Sequence, residues 1–253
     1  MPAFLTDAIV LSTVRYSDSS KVVRLATREH GVVSAIAKGA LRPRSRFGAA
    51  LQLLSLGQAH LIPARQSELH TLAAFDLIHL PLGLADIMER YSSALALGEV
   101  MLRFSPAAPH PEAFHALHDA VAALEVAPVE EAAAIGLRWL WHLVGLLGFT
   151  PSVEVCVVDG APVAPTGPMA FSAGDGGALC TACARSHAVA WLAEPDRQDL
   201  VALLSPDQAL PVLDALHAAA HRRLLARYVH HQLGEGTDLV ALDFWQRHPR
   251  EPA

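Results

Sequence analysis

Three cysteines carry the most specific chemistry in this chain. Cys156-Val-Val-Asp159 is followed, after 20 residues, by Cys180-Thr-Ala-Cys183. Two tight turns with this spacing are how proteins gather four donors around a structural zinc ion. Here a carboxylate holds one of the four places. Carboxylate oxygen also binds zinc, and His187 is near enough in sequence to serve instead. The segment therefore reads as zinc-ribbon-like, with Cys156, Asp159, Cys180 and Cys183 as metal ligands and zinc as the cofactor. The alternative is a ribbon that keeps its turns and packs its thiols without metal. A catalytic zinc finds no support. Zinc deaminases pair H-x-E with P-C-x-x-C. The single H-x-E, His110-Pro111-Glu112, lies far upstream at a loop-to-helix boundary, and Leu179 stands where that proline would be. A thioredoxin-like site needs C-x-x-C within a βαβ pattern, which is absent.

The second grouping is cationic. Lys38, Arg42, Arg44 and Arg46 fall within nine residues of a segment bounded by Gly39, Pro43 and Gly48, and Lys21, Arg24 and Arg28 precede them. Guanidinium groups match phosphate geometry and stay charged at any relevant pH. Solvated loops ordinarily mix signs, yet residues 30–67 contain no Asp or Glu. The net charge of −6 hides this asymmetry: residues 1–80 carry nine Lys/Arg against five Asp/Glu, and the remainder ten against twenty. A phosphate-binding module on an acidic body fits that division. Aromatic platforms for stacked bases are few. Phe4 and Phe75 read as core, while Tyr16 and Phe47 flank loops and are the better candidates.

Histidines are numerous, 14 in all. His217 and His221, at i and i+4 of a predicted helix, have metal-ligand spacing, but the surrounding sequence offers neither a glutamate between them nor a third ligand, so they read as solvated or core residues. Nothing matches a phosphate-binding loop, a dinucleotide fingerprint or a nucleophile elbow. The chain reads as a binding protein and not an enzyme.

Positioning these groups falls to two kinds of element. Strands are expected over Thr6–Tyr16, Lys21–Thr27, Val32–Lys38, Ala59–Pro63 and Glu68–Leu77, separated by turn-forming clusters, with a loop over 39–50. Five short strands suit a small barrel of the OB type, and an SH3-like barrel fits the same periodicity. Helical spacing then covers Leu84–Phe104, Glu112–Leu124 and a helix opened by Pro128 that stops near Gly148. Residues 150–185, rich in Gly and Pro, interrupt the helices. Ser205-Pro206-Asp207-Gln208 looks like a capping box opening a helix to Leu233. The chain from about His248 reads as a frayed tail. With 52% hydrophobic residues there is enough for a sizeable core. No apolar run reaches membrane-spanning length, since Ala132–Phe149 is broken by Arg138 and His142. The N-terminus lacks the pattern of a secretory signal, and the cysteines suit a reducing cytosol.

Taken together, Thr6-Asp7-Ala8-Ile9-Val10-Leu11, Thr27-Arg28-Glu29-His30-Gly31, Lys38-Gly39-Ala40 leading to Arg42-Pro43-Arg44-Ser45-Arg46-Phe47-Gly48, Leu147-Gly148-Phe149-Thr150-Pro151, Cys156-Val157-Val158, and Phe171-Ser172 before Gly176-Gly177 and Cys180-x-x-Cys183 resemble the RecO DNA-repair family over about residues 4–235. The resemblance implies an α+β protein: an N-terminal OB-fold β-barrel (1–80) followed by an α-helical domain (81–149 and 186–240) with an inserted zinc-ribbon-like segment (150–185). It implies a cytoplasmic, nucleoid-associated recombination mediator. Such a protein binds single- and double-stranded DNA, anneals complementary strands and, with RecR, helps load RecA onto DNA coated by the single-stranded DNA-binding protein (SSB). Asp159 departs from the family, whose zinc-binding members have cysteine there.

On this reading Lys21, Arg24, Lys38, Arg42, Arg44 and Arg46 contact DNA. The acidic, hydrophobic-ended SSB tail needs a cation beside an apolar slot. Arg138 with Trp139 and Trp141, and Arg222, Arg223 and Arg227 with Tyr228, are the candidates, although the tryptophans also suit a core. The rival reading is a non-catalytic scaffold whose barrel binds protein and whose basic loop is incidental.

Overall fold

Strand β1, Phe4–Arg15, is apolar on both faces at its centre, where Ala8, Ile9, Val10 and Leu11 are all buried. A strand covered on one side alternates, and a strand covered on both sides does not. Ala8 and Val10 belong to the interior of a β-barrel, whereas Ile9 and Leu11 pack into a helical core. The structure, a computed structural model, describes residues 3–64, 67–106, 108–234 and 236–247.

Strands β2 (Lys21–Thr27), β3 (Gly31–Ala37), β4 (Leu56–Ile62) and β5 (Leu69–His79) close with β1 into a barrel of order β1-β2-β3-β5-β4. β3 and β5 pair in parallel and the other neighbours are antiparallel. This connectivity is of the OB type and decides against the SH3-like alternative that periodicity left open. The expected loop after β3 has no regular element, only turns. Its backbone is nevertheless pinned: Leu41 N–H donates to Ser19 O at 3.0 Å and Leu54 N–H to Val10 O at 2.7 Å. Phe47, Ala50 and Leu51 of this loop join the barrel core. Phe47 is only 3% exposed, so the expectation that it offers a stacking platform is overturned. The barrel needs an apolar plug where the loop crosses it, and the Phe47 ring supplies one. Tyr16, 63% exposed, keeps a free ring face.

The helical body holds α1 (Met88–Phe104), α2 (Pro111–Val126), α3 (Val129–Leu146), α4 (Glu194–Leu204), α5 (Ala215–Gln232) and α6 (Val240–Arg247). α1 lies at its centre against α2, α3 and α6. Gly136 of α3 presses on Ser93 of α1 so closely that a Cβ would collide with the Ser93 side chain. The Ser93 hydroxyl in turn accepts a 2.9 Å hydrogen bond from Trp245 Nε1 of α6, satisfying an indole that is fully buried. α3 stops as expected, with Gly148 at φ +94° and Phe149 N–H returning to Val144 O at 3.1 Å. Between α3 and α4 a three-stranded sheet, order β7-β6-β8, is formed by β6 (Met169–Ser172), β7 (Gly177–Leu179) and β8 (Ala190–Leu192).

One expectation about the helices fails. Ser205-Pro206-Asp207-Gln208 follows α4 and opens no helix; residues 205–214 are turn and irregular chain. Pro211 explains this, because a proline past the first turn removes a helical donor and clashes with the preceding turn. The next helix starts at Ala215 instead, with the Asp214 carboxylate accepting from His217 N–H at 2.9 Å. α6 continues the packed body past residue 240, and the tail from His248 lies outside the described residues. Among those residues, no helix is long and apolar enough to cross a membrane.

Trp245 joins α6 to α1 through both packing and its hydrogen bond. Trp245→Ala is expected to cost about 3–5 kcal/mol, read as a lower midpoint in urea unfolding followed by circular dichroism.

Candidate functional site

The antiparallel pairing of β1, β2 and β3 gathers the sequence-distant cations at one end of the barrel. Lys21 opens β2 opposite Ala37, the last residue of β3, so Lys21 and Lys38 lie at the same end of the β2–β3 pair. The loop carrying Arg42, Arg44 and Arg46 continues from Lys38 and is tied by Leu41 to the β1–β2 turn. Lys38, Arg42, Arg44 and Arg46 are exposed, and the Arg46 guanidinium lies 5.1 Å from the centre of the Phe47 ring. Among the described residues none of Lys21, Arg24, Lys38, Arg42, Arg44 or Arg46 has an ion-pair partner. Four of the five carboxylates in residues 1–80 are engaged elsewhere: Asp7 and Glu29 with Arg28, Asp76 with His60, and Asp18 with Arg15; Glu68, exposed at the groove beside Arg24, has no ion-pair partner among the described residues. Arg28, the one cation of the early cluster outside the DNA-face assignment, is thereby neutralised at the opposite end of the β2–β3 hairpin.

Arg24 stands apart from the loop cations. It alternates with buried Val23 and Leu25 and so faces outward, into an open groove of about 800 Å³ that runs between the barrel wall and the end of α1. Ser12, Val22, Ser34 and Glu68 line the barrel side, and Arg103 from the last turn of α1 lines the other. Arg24 Nε is buried there without a hydrogen-bond partner among the described residues. Sequence reasoning missed Arg103, because an arginine ending a helix already has a reason to be there, the helix dipole. Only the packing of α1 on the barrel sets it opposite Arg24.

The cysteine segment forms two facing turns. Gly160 N–H returns to Cys156 O at 2.9 Å, Ala184 N–H to Cys180 O at 3.0 Å, and Val157 N–H bridges to Ala178 O at 3.0 Å. Cys156, Asp159, Cys180 and Cys183 present ligand atoms that all lie within 4.8 Å of one another. Asp159 Oδ2 accepts from both Cys180 Sγ and Cys183 Sγ at 3.3 Å, while its Oδ1 accepts from Ala161 N–H at 3.0 Å. That amide, followed by the thiol contacts, holds the carboxyl well below the usual carboxylate range. The bond to Asp159, helped by burial, pushes the Cys183 thiol up to about 12. Burial opposes ionisation of Cys156, but backbone N–H groups of Cys180, Asp159 and Val158 outweigh it and lower its pKa. The donor set fits zinc: the thiol protons now shared with Asp159 are the ones a metal displaces. The backbone bond on Oδ1 orients the other oxygen as an outer-shell partner would. His187 does not enter the cluster, because its Nδ1 bonds Cys183 O at 2.9 Å. His110 of the H-x-E is a helix cap, accepting from Ala113 N–H at 3.3 Å.

Two of the four arginines considered for a partner tail are committed inside the body. Arg138 donates from Nη2 to Ala202 O at 3.0 Å and Ala209 O at 3.1 Å, and burial lowers its pKa. Arg222 is buried and ion-paired with Glu89 at 2.7 Å. Trp141 and Tyr228 are core residues in edge contact. Arg223 and Arg227 are exposed, and Arg227 borders a groove of about 600 Å³ lined also by Phe171, Leu224, His187 and His231.

Comparison with known proteins gives a consistent result. Residues 1–81 match the family model "Recombination protein O N terminal" and residues 86–238 the model "Recombination protein O C terminal". The chain is 36% identical over 180 residues to the DNA repair protein RecO of Anaeromyxobacter dehalogenans (strain 2CP-C), covering 70% of this chain and 68% of that one. It is 31% identical over 236 residues to the DNA repair protein RecO of Anaeromyxobacter sp. (strain Fw109-5), covering 89% and 90%. The corresponding protein of Symbiobacterium thermophilum is 33% identical over 184 residues, covering 72% of each chain.

Protein isolated without chelator is expected to carry zinc, and Asp159→Ala to weaken zinc retention at least about tenfold in competition with a chromogenic chelator. Asp159→Cys should tighten it. Less than about 0.2 zinc per chain in well-folded protein would exclude a structural role for the metal.

Proposed function

The chain belongs to the recombination protein O (RecO) family of DNA repair proteins, and on that premise we propose that it is a non-enzymatic recombination mediator that binds single- and double-stranded DNA and anneals complementary strands. The observation that carries this reading is the uncompensated cationic end of the barrel. Lys38, Arg42, Arg44 and Arg46 project from a loop whose backbone is pinned at both ends, while Asp7, Asp18, Glu29 and Asp76 are spent on other partners. Two DNA strands repel through their phosphates. A fixed surface of guanidinium and ammonium groups screens that repulsion and holds both strands within pairing distance, with the bases free to find each other. Phosphate contacts position a strand without reading its bases, which is what annealing of arbitrary sequences requires. Lys21 extends the surface at the barrel end. Arg24, with Arg103, offers a second track along the groove beside α1.

The remaining parts have supporting roles in this mechanism. Zinc, when bound by Cys156, Asp159, Cys180 and Cys183, supplies a structural crosslink between the two turns of the ribbon. The acidic tail of SSB, which ends in apolar residues, suits the groove where Arg227 and His231 flank Phe171 and Leu224; Arg223 adds charge nearby on the same helix. RecR partners the helical body, and together they hand SSB-coated DNA to RecA. This activity belongs to the bacterial cytoplasm, at the nucleoid.

Each neutralised phosphate releases condensed counterion, so affinity should fall steeply with salt. Replacing Arg42, Arg44 and Arg46 together by Ala should flatten the logarithmic salt slope by roughly 0.7 per lost contact on single strands and 0.9 on duplex. Weakening should be equal on unrelated sequences, and stability should barely change because these side chains are exposed. Salt titration of both proteins on labelled oligonucleotides measures this; an unchanged slope would move the DNA site off the loop.

A further inference from the structure

Helices α4 and α5, which pack against each other, carry a set of donors with no assigned role. Asp196 and Asp199 stand at i and i+3 of α4, and His217 and His221 at i and i+4 of α5, spacings that place each pair on one helix face. The two faces meet. His221 Nε2 lies 4.0 Å from Asp196 Oδ1 and 3.9 Å from Asp199 Oδ2, and His217 Nε2 lies 3.9 Å from Asp196 Oδ1. We propose that Asp196, Asp199 and His221, whose ligand atoms all lie within 4.8 Å of one another, form the core of a second metal site for a divalent cation of the zinc type, with His217 at the edge of the cluster closing in as the fourth ligand.

The argument rests on what these atoms lack. The His221 side chain is 1% exposed, yet neither ring nitrogen has a hydrogen-bond partner among the described residues, and Asp196 Oδ1 is buried in the same condition. Buried polar atoms left in that state are costly and rare in native proteins. Separations of 3.9–4.0 Å are too long for hydrogen bonds. They are close to what a shared cation needs. Metal–ligand distances of roughly 2.0–2.2 Å put tetrahedral donors about 3.4 Å apart, so these three contacts have only to shorten by about half an ångström.

His217 is also prepared as a ligand. Its Nδ1 pairs with the Asp214 carboxylate at 2.8 Å, which leaves Nε2 toward the cluster, the carboxylate–histidine–metal arrangement of many sites. Mixed imidazole and carboxylate donors suit zinc and its neighbours better than calcium or magnesium. The site shares no residue with the cysteine cluster. It would strap α4, where the chain returns from the ribbon, onto α5 of the body.

The test is a Co²⁺ titration of the full-length protein followed by absorption, with Zn²⁺ calorimetry for stoichiometry. Cobalt at the cysteines produces a thiolate charge-transfer band, and cobalt at the second site does not. The proposal expects one equivalent bound without that band. His217→Ala, a half-exposed position, and Asp199→Asn should each weaken this equivalent by about tenfold or more while leaving the cysteine signal intact. Co²⁺ should raise the melting midpoint of the wild type by more than that of either variant. The proposal is overturned if all bound metal reports through thiolate, or if both variants bind as the wild type does. It is likewise overturned if the melting midpoint ignores metal but rises as the pH falls through the histidine range, which would assign the cluster to a protonated histidine–carboxylate pair.

Discussion

Burial of β1 on both faces is the constraint from which the rest of the structure follows. Ala8 and Val10 complete the barrel interior, and Ile9 and Leu11 enter the helical core. Neither half can therefore close its core without the other, and the barrel is held against α1 in one orientation. That orientation creates the groove in which Arg24 faces Arg103. It also leaves the opposite requirement, a plug for the open end of the barrel, to the loop after β3. By lending Phe47 and Leu51 to the core, the loop gains a fixed backbone, and its arginines are presented from a support that stays in place. An electrostatic binding surface benefits from such an arrangement, because less conformational freedom is lost when the ligand arrives.

Charge is distributed by pairing as much as by composition. The protein is acidic overall, but several of its carboxylates sit where they neutralise particular cations or cap a helix. Arg28 is paired to Asp7 and Glu29, Arg222 to Glu89, and the α5 start is capped by Asp214. What remains unpaired at the end of the barrel is a surface of one sign. Long-range repulsion between the acidic body and any polyanion is screened over roughly 10 Å at moderate salt, so a compact cationic patch can dominate locally.

The ribbon and the α4–α5 junction show one physical logic on different scaffolds. In each, donors separated by many residues are brought together by short local repeats: two turns in the first, two helical faces in the second. At the cysteine cluster, Asp159 stands among the thiols. One oxygen is anchored by Ala161 N–H and the other is aimed at the thiols of Cys180 and Cys183.

Much of this was legible in the residues alone. The five strands, the helices over 88–104, 111–126 and 129–146, the paired turns of the ribbon and the acid-free basic loop follow from local periodicity, turn chemistry and charge, which neighbours in sequence determine. Local pattern misled where a longer-range feature intervened. Ser205 to Gln208 has the form of a helix start, but Pro211 and the Asp214 cap move that start by nine residues. Arg138, Arg222 and Phe47 look available from their types, and each is claimed by a partner or a core built from distant parts of the chain. The choice of Asp159 over His187 beside the thiols, the meeting of Arg24 with Arg103, and the convergence of His217 and His221 on Asp196 and Asp199 were decided by tertiary structure alone. The physical reason is the same in each case. Spacing along a strand, turn or helix sets which side chains share a face, but what that face meets depends on packing between elements that no local interaction encodes.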